Sequence, residues 1–452
     1  MGLLCASVRR LLPVVALALI WAAPAQAFSK STGFRTMADG TQIAYDLYEP
    51  DGTVPAGGWP GVVVLHGLGG SKDDMAPIAN VLAAKGYAAL AYTARGHGTS
   101  GGDVGLAGPD DIATERTMES WFAGLPEVSD TQIGAWGISY GGGQTWNGLA
   151  AGIPYKAAEV VETWTDLYSA LWPQDIAKSG IVLGFSKAVE ARSPLIASFE
   201  NDALHSTNLQ TIKTVADSRS AYAALPKITT PTYMFQGRVD WAFDVTQALN
   251  GYNRVAGPKH LYVGQFGHAP STFPGPDFNY VMSQGLAWYD HFLKGAPNGI
   301  EKSKPVTIAA QTGTKRTSYA GVPKTKSITV GFRGTTLGPR TGPVFREALE
   351  TFGVSLLKVQ IRKVVNYPRL VVTVKAGNRV ITHGGIVPKV GLQTIRLANY
   401  VQYLPKGTRL SVTFGPSSAS PDIAYLGFGD ETSISLGSAV MTLQTLTKPV
   451  SG

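Results

Sequence analysis

Six short apolar runs, spaced by segments of helical character, constrain this chain more than any other feature. They are "GVVVLHG" (61–67), "YAALAYT" (87–93), "QIGAWGIS" (132–139), "AAEVVET" (157–163), "PTYMFQG" (231–237) and "KHLYVGQ" (259–265). A strand with one wet face alternates apolar and polar residues. A run apolar at nearly every position must be buried on both faces. Between the runs lie helical stretches at 73–85 and 111–125, and "DFNYVMSQGLAWYDHFLKG" forms a closing helix. Alternation of this kind predicts a parallel sheet covered by helices on both sides, an α/β fold. An opening hairpin, "GFRTMADGTQIAYDLYEP", turns at Asp39-Gly40, a pair that tolerates the positive φ of a tight turn. From residue 164 to 225 the alternation lapses into a mostly helical insertion, too long for a plain connection and read as a cap.

The run ending "GISYGG" places Ser139 between Gly137 and Gly141, just past a strand and before a helix-compatible stretch. A sharp strand-to-helix turn needs small neighbours at minus two and plus two and presents the serine hydroxyl at the carboxyl edge of the sheet. In a chain with 53 glycines this pattern is also what an ordinary glycine-rich turn looks like, so its partners decide. A serine hydroxyl needs an imidazole to take its proton, and the imidazole needs a carboxylate to hold its tautomer. Asp240 in "GRVD" and His268 in "FGHAPS" each follow an apolar run, and the chain order Ser, Asp, His is that of α/β-hydrolases. Asp166 in "WTDLY" competes with Asp240 for the acid, whereas Asp244 reads as a helix cap. Of the seven histidines, His205, His260, His291 and His383 lack the post-strand position of His268, and His66 and His97 read as structural. "LHGLGG" (65–70) offers the backbone N–H of Leu68, beside that of Tyr140, for an oxyanion hole. Trp164, Trp172 and Trp241 are candidate walls of the substrate cleft, with Trp164 and Trp241 as the substrate-binding pair; a place in the core is the other reading of each. No Cys, His and carboxylate cluster has ligand spacing, so neither metal nor cofactor is implied.

The second half differs in material. "SITVGFRG", "SLLKVQIRKVV", "RLVVTVKA", "TRLSVTFG" and, just past residue 300, "KPVTIAAQT" alternate with a period of two between glycine and proline turns, as in an antiparallel sandwich. Charge divides in the same way. Residues 28–300 carry 17 Lys and Arg against 25 Asp and Glu, a net of −8, and residues 301–452 carry 20 against 6, a net of +14. The expected organisation is a catalytic unit over 28–300, with its cap at 164–225, and a basic β-sandwich over 301–452. That basic unit is a candidate for holding an anionic cell-surface polymer; scattered basic residues without a recognition helix argue against nucleic acid.

Residues 1–27 carry Arg9 and Arg10, an apolar run from 11 to 23 too short to span a bilayer, and small residues at Ala25 and Ala27. This is the order of a secretory signal, with paired arginines that also suit twin-arginine export. The expected mature chain is secreted or periplasmic, has no membrane anchor and, because Cys5 is the only cysteine, has no disulfide.

Taken together, "GISYGG", "GRVD", "FGHAPS", the helical cap and the trailing β-rich unit resemble the X-prolyl dipeptidyl-peptidase and cocaine esterase family of serine hydrolases. The resemblance implies an α/β-hydrolase with a jelly-roll-like second domain, Ser139 as nucleophile, Asp240 as acid, His268 as base and Tyr140 as one oxyanion donor. Its "YLPKGTRLSVTFG" is closest to that second domain, and "WTDLY" to the segment entering the cap. One departure stands out: the family's loop after the first buried strand carries a tyrosine whose hydroxyl completes the oxyanion hole, and this chain has "LHGLGG" there, as esterases and lipases do. The expected activity is therefore hydrolysis of a small ester or peptide. A carboxylesterase or polyester hydrolase without peptidase activity is the alternative, and a surface-binding protein on a hydrolase scaffold is a third reading.

Overall fold

The computed structural model describes residues 28–189, 192–427 and 432–451. The leader expected at 1–27 lies outside the described residues. Strands β1 (Phe28–Thr36) and β2 (Gln42–Pro50) form the opening hairpin, with Gly40 at φ +83° and the Asp39 carboxylate accepting from the Thr41 N–H at 3.0 Å. They lead into β3 (Trp59–Leu65), β4 (Ala88–Tyr92), β5 (Val128–Ile138), β6 (Ala157–Val161), β7 (Thr232–Gly237) and β8 (Lys259–Gly264). With two later strands, β9 (Val306–Ala309) and β10 (Arg316–Tyr319), they form one ten-stranded sheet in the order β1-β2-β4-β3-β5-β6-β7-β8-β9-β10, and every pairing from β4 across to β9 is parallel.

The wholly apolar runs serve both faces of that sheet. In β3, Val63 and Leu65 pack on one side with Met118, Phe122 and Trp146; Val62 and Val64 pack on the other with Leu82, Trp136 and Trp288. Helices α1 (Ala76–Ala84), α2 (Pro109–Ala123) and α3 (Tyr140–Ala150) alternate with the early strands, and five short helices, α4 (Leu167–Leu171), α5 (Ser179–Ala188), α6 (Pro194–Ser198), α7 (Glu200–His205) and α8 (Leu209–Asp217), occupy the insertion. Their apolar side chains, including Leu171, Val182, Ile196 and Ile212, with Trp172 beside them, share one core with Ala94, Tyr140 and Phe243 of the α/β unit. Helices α9 (Val245–Arg254) and α10 (Phe278–Lys294) complete the cover. No helix among the described residues is long and apolar enough to cross a membrane.

The sheet runs on past residue 300. Strands β9 (Val306–Ala309) and β10 (Arg316–Tyr319) extend it, and β9 lies parallel to β8. This corrects the assignment of "KPVTIAAQT" to the sandwich. All four residues of β9 are buried, so the segment is another strand covered on both faces, whose lysine-rich flank gave it the charge of the second unit.

The sandwich follows as β11 (Thr325–Phe332), β12 (Arg340–Val344), β13 (Leu349–Glu350), β14 (Leu356–Val365), β15 (Leu370–Ala376), β16 (Arg379–Ile386), β17 (Gly391–Arg396), β18 (Tyr403–Leu404), β19 (Arg409–Gly415) and β20 (Ser433–Leu446). Two four-stranded antiparallel sheets, β11-β20-β14-β17 and β12-β19-β15-β16, enclose Leu357, Val359 and Ile361 of β14 against Val372, Val374 and Val412 of the facing sheet. The solvent face of β14 carries Lys358 and Arg362, as the period of two requires, and a register irregularity between Ile361 and Lys363 leaves Lys363 exposed as well.

Candidate active site

Strand β5 ends at Ile138, and the next residue turns the chain sharply into α3. Ser139 holds φ +55° and ψ −114°, a left-handed conformation costing an L residue about 1–3 kcal/mol. The surroundings enforce it. The Ser139 N–H donates to the Val161 carbonyl at 2.8 Å, and the Ser139 carbonyl accepts from Gly143 N–H at 3.0 Å and from the Thr163 hydroxyl at 2.7 Å. Gly137 and Gly141 are needed for the turn to close: a Cβ on the first would strike the Gly141 carbonyl and the Thr145 hydroxyl, and one on the second the Leu65 carbonyl.

The loops after β7 and β8 bring Asp240 and His268 to the same edge of the sheet. His268 Nδ1 lies 2.7 Å from Asp240 Oδ2, and His268 Nε2 lies 2.9 Å from Ser139 Oγ. Asp240 is fully buried, and its other oxygen accepts from the Ala242 and Phe243 N–H groups at 2.9 and 2.8 Å, which fixes the carboxylate plane. A carboxylate can only accept, so Nδ1 carries the proton, and in the neutral imidazole Nε2 is left to accept from the serine hydroxyl. Burial pulls the His268 pKa down, but the charge and hydrogen bond of Asp240, aided by Glu162, outweigh it and raise the pKa to about 9.

The other residues weighed for these roles lie elsewhere. Asp166 caps α4, accepting from Ser169 N–H at 3.1 Å, and Asp244 caps α9 through Thr246 N–H at 2.8 Å. His260 packs against Tyr233 and Trp288, His291 bonds the Ala296 carbonyl, and His383 is buried in the sandwich against Asp422. His205 lies on α7, with its Nδ1 3.0 Å from the Asn201 carbonyl.

Opposite His268, the "LHGLGG" loop is held from beneath. Buried His66 accepts from Ala94 N–H through Nε2 at 2.9 Å, bonds the Gly67 carbonyl through Nδ1 at 2.7 Å, and offers its own carbonyl to Gly141 N–H. Desolvation drives its pKa down to about 3, so it remains a neutral brace. Leu68 and Ser139 line one cavity, and neither the Leu68 nor the Tyr140 N–H is taken up by a turn or cap hydrogen bond among the described residues. Tyr140 sends its ring into the core, where the hydroxyl donates to Asp111 at 2.9 Å; only its backbone, at the first turn of α3, belongs to the site.

The cavity has a volume of about 750 Å³ and is lined by Leu68, Ser139, Glu162, Phe185, His268 and Phe273 among others. The tryptophans expected in its wall are not there. Trp164 is buried against Gly143 and Phe243, with its indole N–H donating to the Arg219 carbonyl, and Trp172 is in the cap core. Trp241 packs into the sandwich on Val380 and Tyr400. Large aromatic rings beside a cleft and inside a core carry the same sequence signature, and burial decided for the core.

One residue of the site escaped the sequence reading. Glu162, the first residue after β6, is buried at φ +48°, with Oε2 4.0 Å from His268 Nδ1 and Oε1 without a partner among the described residues. Its signal was positional: a carboxyl immediately past a buried strand, at the edge that also presents Ser139. Desolvation is the main cause that raises its pKa, to about 8, with the Asp240 charge acting in the same direction and His268 opposing. Glu162, Asp240 and His268 are also the one grouping among the described residues with metal-ligand spacing, their atoms lying within 4.8 Å of one another, but His268 Nδ1 is already engaged by Asp240.

Similarity to known proteins bears on the family and the fold. The family model "X-Pro dipeptidyl-peptidase (S15 family)" matches residues 39–270. A CocE/NonD family hydrolase from Staphylococcus aureus superposes with a TM-score of 0.73 at 14% identity, covering 93% of this chain and 94% of its own. An α-amino acid ester hydrolase gives 0.62 at 14% identity, covering 98% of both chains. Among curated sequences, an uncharacterized 31.7 kDa protein of Escherichia coli is 29% identical over 111 residues, 24% of this chain. The match spans 37% of that relative's length.

Proposed function

The chain belongs to the X-Pro dipeptidyl-peptidase (S15) family, and from that premise we propose that it cleaves an ester or amide through an acyl-enzyme formed on Ser139. It is a serine-type hydrolase of the ester or peptide class. In the proposed reaction His268 Nε2 takes the Ser139 proton as Oγ bonds the substrate carbonyl carbon, and the carbonyl π pair moves onto oxygen. That oxyanion is received by the N–H groups of Leu68 and Tyr140, donors already oriented before charge develops. The imidazolium then gives its proton to the departing alkoxide or amine. Water repeats the sequence on the acyl-enzyme, again with His268 as base. Asp240 keeps its hydrogen bond to Nδ1 throughout and stabilises the cation without taking the proton.

The observation that carries this reading is the continuous relay from Asp240 through His268 to Ser139, at 2.7 and 2.9 Å, ending on a serine held in a left-handed turn. The test is the rate of Phe28–Gly452 on an alanyl-prolyl anilide and on a short-chain nitrophenyl ester, each beside the Ser139→Ala control. Serine-dependent release from the anilide establishes peptidase activity. Release from the ester alone establishes the esterase reading, which is favoured by the apolar side chains of Leu68, Phe185 and Phe273 in the cavity and by the absence of a tyrosine from the "LHGLGG" loop. Loss of neither activity in Ser139→Ala would remove the assignment.

Export through residues 1–27 is part of the proposal and is checked by the N-terminus of the protein recovered outside the cytoplasm. Anchoring on an anionic polymer through cations such as Lys358 and Arg362 is checked by binding that is released at about half-molar salt, where the Debye length falls to a few ångströms.

A further inference from the structure

We propose that Glu162 is a second positioning carboxylate for His268, sharing with Asp240 the support of the imidazolium that forms when Ser139 gives up its proton. The inference rests on the relay proposed above and adds to it a member that the Ser-Asp-His order does not contain.

Burying an ionisable side chain with an unsatisfied oxygen is costly, and so is a left-handed backbone on a residue other than glycine. Glu162 carries both costs at one position. A glutamine there would avoid the cost of burying a charge. What the arrangement gains is placement. The Glu162 N–H is fixed to the Phe235 carbonyl at 2.8 Å, and the flanking residues hold Ser139 itself, Val161 through its carbonyl and Thr163 through its hydroxyl. The tripeptide that clamps the strained serine therefore also aims a carboxyl at the histidine, 4.0 Å from Nδ1.

The charged groups whose fields reach Glu162 are His268, on the loop after β8, and Asp240, on the loop after β7. With Asp240 already engaged to Nδ1, the imidazolium of the reacting state lies beside two carboxyls. Glu162 exchanges no proton with substrate: the serine proton goes to Nε2 and on to the leaving group, and Nδ1–H stays with Asp240. Glu162 contributes by its charge, so its contribution grows as it ionises.

The experiment is the pH profile of kcat/KM for wild type, Glu162→Gln, Asp240→Asn and the double variant. Removing a carboxylate 4 Å away lowers the imidazole pKa, so the acid limb of Glu162→Gln is expected about one pH unit below that of wild type. Its alkaline plateau is expected about ten-fold lower. In the Asp240→Asn background, where Glu162 is the remaining carboxylate, the same change is expected to cost about a hundred-fold, a departure from additivity that a merely structural residue does not produce. Superimposable acid limbs, together with the same factor in both backgrounds, overturn the proposal. A second readout needs no turnover. In Ser139→Ala protein with labelled histidine, the His268 ring resonance should carry an inflection from Glu162 that is missing from the Ser139→Ala/Glu162→Gln double variant, and identical titration curves for the two count against Glu162. Because that readout is independent of substrate, it separates failure of this inference from failure of the hydrolase reading, which retained activity in Ser139→Ala would show.

Discussion

Among the described residues are two hydroxyl–imidazole–carboxylate relays. In the α/β unit Asp240, His268 and Ser139 are joined at 2.7 and 2.9 Å; in the sandwich Asp422, His383 and Tyr400 are joined at 2.6 and 2.8 Å. Hydrogen-bond geometry alone does not tell them apart. What differs is presentation. Ser139 stands on a strained turn at the edge of a cavity beside unclaimed backbone N–H groups, whereas His383 is wholly buried among Trp241, Tyr400 and Tyr425, and its hydroxyl partner is a phenol on the sandwich side of the same core. A relay becomes a catalyst only where a substrate carbonyl can reach it and its oxyanion can be received; elsewhere the same three groups are a buried polar strut.

The sharpest way to break this contrast is to remove the hydroxyl at the first relay. Ser139→Ala and His268→Ala are each expected to lower kcat/KM by about 10³–10⁶-fold with the thermal transition preserved, as read by progress curves beside calorimetry. Asp240→Asn should cost somewhat less, about 10³–10⁴-fold, because the oxyanion donors and Glu162 remain. The counterpart at the second relay is His383→Gln, which strands Asp422 in the interior. Stability is expected to fall by about 3–5 kcal/mol in denaturant titration, with kcat per folded molecule changed by less than about three-fold. A collapse of kcat in soluble, folded His383→Gln would mean that the second relay acts on chemistry after all.

The smallest expected effect concerns pH. Asp111 and Glu162 hold their protons to about 6 and 8 in the folded protein, chiefly through desolvation, and His268 to about 9 despite it. Unfolded carboxyls and imidazoles release theirs earlier, so above pH 6.5 the folded state binds more protons and stability falls as pH rises. His66 and His260, depressed to about 3 and 4 by burial, act in the opposite direction, but only below 6.5. The melting temperature should therefore decline by a few degrees from pH 6.5 to 9, and less steeply in Glu162→Gln.

Which parts were legible in sequence follows from what each part depends on. The parallel sheet was legible because a strand buried on both faces has no choice but to be apolar throughout, as Val62 to Leu65 are. The convergence of Ser139, Asp240 and His268 was legible because each is tied to the end of such a strand. Strand β9 was assigned to the wrong sheet because the sign of the surrounding charge says nothing about which edge a strand extends. Trp164 and Trp241 misled because a ring's surroundings are set by the neighbours that fold over it, here Phe243 for one and the sandwich for the other. Glu162 was passed over because an acid after a strand is ordinarily wet, and only the closure of three loops makes it dry.

Asp240 sits on a loop stitched to the second unit on both sides. Two residues before it, Arg238 pairs with the buried Glu350 and lends its carbonyl to Val401 N–H; four residues after it, Asp244 accepts from Asn399 N–H at 2.8 Å. Phe352, Val401, Leu446 and Val450 reach across to share the core beneath the ten-stranded sheet. The hydrolase is thus not modular in the way its two-part architecture suggests. An insertion or truncation in the sandwich would be felt as a loosened Asp240 loop, and the C-terminal strands are as much a part of what holds the proposed active site as the turn that bears Ser139.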